Sequence, residues 1–273
     1  MSNTKAKSTE HYEFMEEQQQ TSSLKMKNSP SNCPKCKGMG WILDVGTNTA
    51  SKCVCYEEMV QSNRLKFAMI PDEFKNLTVN SFDTSIYSNN QKEIAIRAKR
   101  IVGGYINNFE EMQQQGKGLF FFSKSRGSGK TRLAVSTGNA LIMHKSQRVR
   151  FITTLDLLSK IKETYSNSDE YTEQSLLNEF YEIPVLILDD IGTENVSPWV
   201  TEIFFKLLDT RMTYRRITII TSNLSIEDLK HDERIKSRLR RMTITIDMPN
   251  EDIRRKLGTE ENNDLINRLI GGL

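Results

Sequence analysis

Three groups of residues in this chain have the types and spacing to do chemistry. The first is Ser123-Lys-Ser-Arg-Gly127-Ser128-Gly129-Lys130-Thr131-Arg132, a glycine-bearing run ending in a lysine and a hydroxyl. Consecutive backbone N–H groups at a helix start can cradle phosphate oxygens, and glycines permit the unusual backbone that such a cradle needs. Lys130 is then a point charge for the β and γ phosphates of a nucleoside triphosphate, and the Thr131 hydroxyl is a ligand for Mg²⁺. The usual pattern G-x4-G-K-[ST] has glycine where this chain has Lys124. That first glycine relaxes the turn and does not touch the reacting phosphate. The second group is Val185-Leu-Ile-Leu188-Asp189-Asp190, an apolar run closed by two acids about 60 residues further on. An open parallel sheet gathers ligand chemistry at such strand ends. Asp189 is expected to hold Mg²⁺ and Asp190 to orient an attacking water. The third is Cys33-Pro-Lys-Cys36, then sixteen residues, then Cys53-Val-Cys55. Four thiolates are the number that a tetrahedral structural zinc site wants, leaving no open position for catalysis, although C-x-C is a less standard second half than C-x2-C; four free cysteines or a redox pair are the alternatives.

These groups need elements to position them. An apolar run Gly118–Phe122 before the glycine loop and a helix Lys130–His144 after it give a strand, turn and helix. The alternation goes on through a strand at 148–154, helices near 155–165 and 173–181, the acidic strand, a helix at 199–214, a strand at 217–221, a helix at 233–241 and a strand at 243–247. Continuous apolar strands separated by helices imply an α/β fold with a five-stranded parallel sheet covered on both faces. A helix at 92–112 precedes it. Around the cysteines, Gly38, Gly40, the run Trp41–Val45 and a turn at 46–49 read as a small zinc-ribbon-like module. It is too short to fold on apolar surface alone, so a metal would supply much of its folding free energy.

The expected organisation is a disordered tail at 1–30, a zinc-binding module at 31–60, a linker at 61–92 and an ATPase domain at 93–273. The tail is rich in Ser, Thr, Gln, Lys and Glu, with Tyr12–Met15 a candidate partner-binding segment within it. With 38 Lys and Arg against 35 Asp and Glu, the net charge is +3, so nucleic-acid contact must come from local patches. The chain has no apolar run long enough for a membrane span and no signal-peptide pattern. A cytoplasmic protein is expected, and in a reducing cytosol clustered cysteines read as metal ligands and not as disulfides.

Taken with the phosphate loop and Leu188-Asp189-Asp190-Ile191-Gly192-Thr-Glu194, the run Ile217–Asn223 and the later Ser237-Arg238-Leu239 make the chain resemble the DnaC/DnaI-type helicase loaders of the AAA+ superfamily, over residues 75–257. The resemblance implies that Asn223 senses the γ-phosphate and that Arg238 is an arginine finger offered to a neighbouring subunit's ATP, which requires a homo-oligomer in the ATP state. It offers Arg254 or Arg255 as a second sensor. Only 26 residues follow Asp247, too few for a full helical lid, as in loaders of this type. It also implies a zinc module that docks a hexameric replicative helicase, with DNA binding as the module's alternative role, and action on single-stranded DNA. A neutral alternative for Arg238 is a solvated basic face, since Arg234, Lys236, Arg240 and Arg241 crowd the same helix, and these cations could equally meet a nucleic-acid backbone. Competing functions are an ATP-binding helper of a transposase, whose relatives usually lack the cysteine module, and a small-molecule kinase, which would need an acceptor pocket and an arginine-bearing lid.

Overall fold

The structure, a computed structural model, describes residues 33–165 and 172–271. The tail expected at 1–30, with Tyr12–Met15, lies outside the described residues. The chain divides into two compact units, residues 1–62 and 63–273.

In the first unit, β1 (Trp41–Asp44) and β2 (Thr49–Lys52) pair antiparallel, Trp41 opposite Lys52 and Asp44 opposite Thr49. The Asp44 carboxylate holds the turn by accepting from the Gly46 N–H at 2.9 Å. All eight strand residues are exposed, whereas Cys33, Cys36, Cys53 and Cys55 are buried and form a cluster of their own. Among the described residues, the hairpin therefore has no buried apolar side chains of its own beyond the cysteines. Helix α1 (Tyr56–Phe67) follows.

The second unit contains α2 (Asn89–Asn107), α3 (Phe109–Gln115), β3 (Gly118–Phe122) and α4 (Lys130–Lys145). Next come β4 (Val149–Thr153), α5 (Thr154–Glu163), α6 (Glu173–Glu182) and β5 (Val185–Ile191). Then follow α7 (Pro198–Thr213), β6 (Ile217–Ser222), α8 (Glu233–Met242), β7 (Thr243–Asp247) and α9 (Ile253–Gly271). The five strands make one parallel sheet in the order β4-β5-β6-β3-β7, as the apolar runs require. Side chains alternate across it. Leu119 and Phe121 join Val102 of α2 and Leu133 of α4 on one face, while Phe120, Leu186 and Leu188 join α5, α6, α7 and α8 on the other. Among the described residues, one helix, α9, follows β7, and no helix is long and apolar enough to cross a membrane.

The structure differs from the sequence reading in three places. The single helix expected at 92–112 is two helices broken at Asn108, whose side-chain amide donates to Gly104 O at 2.8 Å and so competes with the helical ladder. The acidic strand runs on past Leu188 to Ile191. The segment expected as a linker at 61–92 is largely part of the second unit: Ala68, Ile70, Phe82 and Tyr87 are buried in the same cluster as β3 and α4. The Phe151 N–H of edge strand β4 donates to Ala68 O at 2.8 Å, and the Asn139 amide anchors the carbonyls of Phe74 and Leu77.

Candidate nucleotide site

The glycine loop sits where β3 ends and α4 begins, with the ends of β5 and β6 beside it. Its backbone is fixed from two sides. Ser123 Oγ lies 2.7 Å from Pro249 O, and the Lys124 N–H donates to Asn250 Oδ1 at 2.9 Å. Gly127 O accepts from the N–H groups of Ile253 and Arg254 at the start of α9, and the Tyr87 hydroxyl donates to Ser128 O at 3.0 Å. Gly127 and Gly129 have φ of 68° and 88°. A Cβ on Gly127 would stand 2.1 Å from Asp252 Oδ1, and one on Gly129 2.8 Å from the Tyr87 oxygen. Left-handed backbone and close approach both demand glycine here. Lys124, in the place of the first glycine, contributes its backbone N–H while its side chain stays exposed.

Lys130 folds back over the loop, its Nζ donating to Ser125 O at 2.8 Å and lying 3.3 Å from Ser123 O and Ser128 Oγ. Burial lowers its pKa to about 8, against the opposing pull of Asp190 and Asp189. The hydroxyls of Thr131 and Thr221 both donate to Asp189 Oδ1, at 2.9 and 2.6 Å. Strand β6 thus braces the acid of β5 that faces the start of α4. Asp190 takes a left-handed φ of 61°, its N–H donates to Thr221 Oγ1, and its Oδ1 accepts from the Asn223 amide at 2.8 Å. Asn223 Oδ1 is buried without a protein partner among the described residues. Burial raises both carboxyl groups above the ordinary carboxylate range, with Lys130 pulling each of them back down. Lys130, Thr131, Asp189, Asp190 and Asn223 are thereby assembled into one polar cluster.

The other candidates sit differently. Arg132 donates to Ser81 O at 3.0 Å, bracing the segment before α2. Of the two candidates for second sensor, Arg254 stands against the loop, where its charge acts on Lys130 and Asp190. The Arg255 N–H instead caps α9 on Asp252 Oδ1. Arg238 makes none of the loop contacts: its Nε and Nη2 donate to Asp209 Oδ1 at 2.8 and 2.6 Å, and its guanidinium lies over the Phe205 ring.

Two features had no readable signal in the sequence. Residues 81–87 and 249–254 clasp the loop partly through backbone groups, which any residue type can supply, and partly through the side chains of Tyr87 and Asn250, single polar positions whose distant partners no spacing reveals. Glu194 and His231 form a buried pair, Nε2 to Oε1 at 2.5 Å, and Glu194 Oε2 also accepts from the Gly192 N–H at 2.8 Å. Glu194 stood in view beside the acidic strand, but its partner lies 37 residues away.

In the first unit the four cysteine sulfurs lie within 4.8 Å of one another, with Cys33 to Cys53 at 3.7 Å and Cys36 to Cys55 at 3.3 Å. Sulfurs about 2.3 Å from a tetrahedral zinc are about 3.8 Å apart, so these residues fit that ion.

Residues 114–240 match the model of the IstB-like ATP binding protein family. The chain is 32% identical over 163 residues to the replicative helicase loader DnaC of Buchnera aphidicola subsp. Acyrthosiphon pisum, covering 59% of this chain and 63% of that one. It is 32% identical over 119 residues to the replicative helicase loader DnaI of Bacillus subtilis, covering 43% and 36%. The crystal structure of the DnaC helicase loader superposes with a TM-score of 0.55 at 27% identity, covering 65% of this chain and 99% of that one. The chain spans less than two thirds of the length of these curated relatives. In sequence and in fold alike, the second unit is similar to the DnaC/DnaI helicase loaders, with the IstB-like ATP-binding match at its centre.

Proposed function

We propose that the chain is an ATP-dependent loader of a replicative DNA helicase onto single-stranded DNA, acting as a homo-oligomer in the cytoplasm. The observation that carries this reading is the joining of Thr131, Asp189 and Thr221 on one oxygen, with Asn223 on Asp190 beside it, in a unit that resembles helicase loaders. The loop amides with Gly127, Ser128 and Gly129 hold the phosphates, and Lys130 supplies a cation to the β and γ groups. Thr131 and Asp189 are the Mg²⁺ ligands. Asp190 orients the water that attacks the γ-phosphate, and Asn223 ties that acid to the end of β6. Arg238 serves a neighbouring subunit's ATP once released from Asp209. The four cysteines hold a structural Zn²⁺, and their module docks the helicase.

The test is ATP hydrolysis and complex size, alone and with single-stranded DNA plus a hexameric helicase. Nucleotide-dependent assembly with the helicase is the expected result. DNA-stimulated hydrolysis with no helicase complex would move the assignment to a transposase helper, the second reading, which the IstB-like match favours. Lys130→Ala is expected to abolish ATP binding. Arg238→Ala should keep binding and lose hydrolysis only in the assembled state, and equal loss of nucleotide binding in both variants would refute the role given to Arg238.

A further inference from the structure

The basic face of α8 sorts itself into neutralised and free charges. Arg234 is paired with Asp232, Lys236 with Glu233, Arg238 with Asp209, and Arg240 with Glu227 and Glu233. Arg241, the last cation of the helix, has no carboxylate partner among the described residues. It lines a cavity of about 640 Å³ together with Lys117, Arg215, Gln114, Gln115 and Thr213, walled by Met212 and Met242. Among the described residues the other two cations are also without an acid: Lys117 donates to Arg241 O and Arg215 to Gln114 O. Among the described residues, no Asp or Glu lines the cavity.

The cavity lies at the start of the strands, since Lys117 precedes β3, Arg215 precedes β6 and Arg241 precedes β7. It is therefore at the opposite end of the sheet from the nucleotide site. Gly116, at φ 66°, is what lets the Arg215 backbone approach, because a Cβ there would stand 3.1 Å from Arg215 Cα. Three unneutralised cations around one cavity repel each other, and an anion seated among them relieves that cost. Among the described residues, the cavity walls carry amides, a hydroxyl and methionines but no aromatic ring on which a base could stack.

We propose that this cavity is a second anion site, which takes phosphodiester groups of a nucleic-acid strand through its backbone and without regard to sequence. The proposal deepens the loader reading by giving the strand a place on this chain, and it rests on that reading for the strand being DNA. A free oligophosphate shares the same chemistry and is the alternative source of the anion.

The experiment is fluorescence anisotropy of a labelled single-stranded 20-mer with the full chain, over a series of salt concentrations, for wild type, Arg215→Ala/Arg241→Ala and Arg215→Lys/Arg241→Lys. The double alanine variant is expected to bind about tenfold or more weakly at low salt. The slope of log affinity against log salt should flatten by about 1.4, two single-strand phosphate contacts at about 0.7 each. The lysine variant should keep most of both. Binding of a fluorescent ATP analogue should be equal in all three, which shows that the nucleotide site and the fold are intact. Unchanged oligonucleotide affinity and slope in the alanine variant would overturn the proposal, as would a wild type that does not bind the 20-mer. A variant that loses affinity for tripolyphosphate but not for the 20-mer would overturn the assignment to a strand. Failure of the loader reading shows separately, as absence of a helicase complex while the oligonucleotide result stands.

Discussion

Lys130 loses its proton more readily than an ordinary lysine, at about pH 8, because burial disfavours its charge. Triphosphate oxygens favour the charged form, so the complex holds the proton to higher pH than the free site does. Affinity for ATP is then fully present below pH 8 and falls as pH rises through and above it, by up to about tenfold per pH unit. Titrating a fluorescent nucleotide between pH 7 and pH 9.5 checks this, and Lys130→Arg should flatten the curve because arginine stays charged. A second expectation concerns Gly127. Ala at this position needs a left-handed φ and puts its Cβ 2.1 Å from Asp252 Oδ1, so that carboxylate, which also accepts from the Arg255 N–H at the start of α9, must shift. Gly127→Ala should weaken nucleotide binding at least tenfold while leaving the helical circular dichroism signal unchanged. At this scale the sequence was most informative. The phosphate loop leaves a mark because its backbone geometry restricts positions 127 and 129 to glycine, and Asp189, Asp190 and Asn223 stand at strand ends that apolar runs reveal. The engagement of Arg238 by Asp209, 29 residues away, leaves none.

Among the elements, α8 is tied to the acidic strand by more than packing. Gly192, two residues after Asp190, donates to Glu194, which pairs with His231, and the next residue, Asp232, caps α8 by accepting from the Ile235 N–H. The chain of contacts runs from the end of β5 to the helix that carries Arg238. Replacing His231 by Ala leaves Glu194 buried and short of a partner, a cost of about 1–3 kcal/mol. We expect His231→Ala to lower the melting temperature by several degrees and to reduce hydrolysis in the assembled state while nucleotide affinity is kept. Equal effects on affinity and hydrolysis would reduce the pair to a structural one. The helices and strands themselves were largely legible from apolar periodicity, with failures of a physical kind. Asn108 breaks a helix through a local side-chain bond that no period reports, and Phe82 and Tyr87 are lone aromatics in a polar run, too sparse to announce that they enter the core.

For the molecule as a whole, the two units draw their stability from different sources. The second has apolar layers on both faces of its sheet; the first has an exposed hairpin and a buried cluster of sulfurs. On the proposed zinc occupancy, a zinc-selective chelator with Mg²⁺ kept in excess should release one metal per chain and collapse the signals of residues 33–55. The melting transition and ATP affinity of the second unit should stay as they were. Heteronuclear spectra recorded through the titration would follow both, and loss of ATP affinity in step with zinc release would contradict the separation.

The bond from the Phe151 N–H to Ala68 O has a consequence for how copies of the chain can associate. An outer strand with free backbone donors is a template on which another strand can grow, and proteins that must form defined assemblies need to block such growth. Here the chain's own backbone at Ala68 takes the outward N–H at the middle of β4, and the neighbouring Phe67 O takes the Arg150 guanidinium. Pairing of another copy's strand at Phe151 is thus blocked, so in the proposed homo-oligomer the subunits would have to meet through other surfaces.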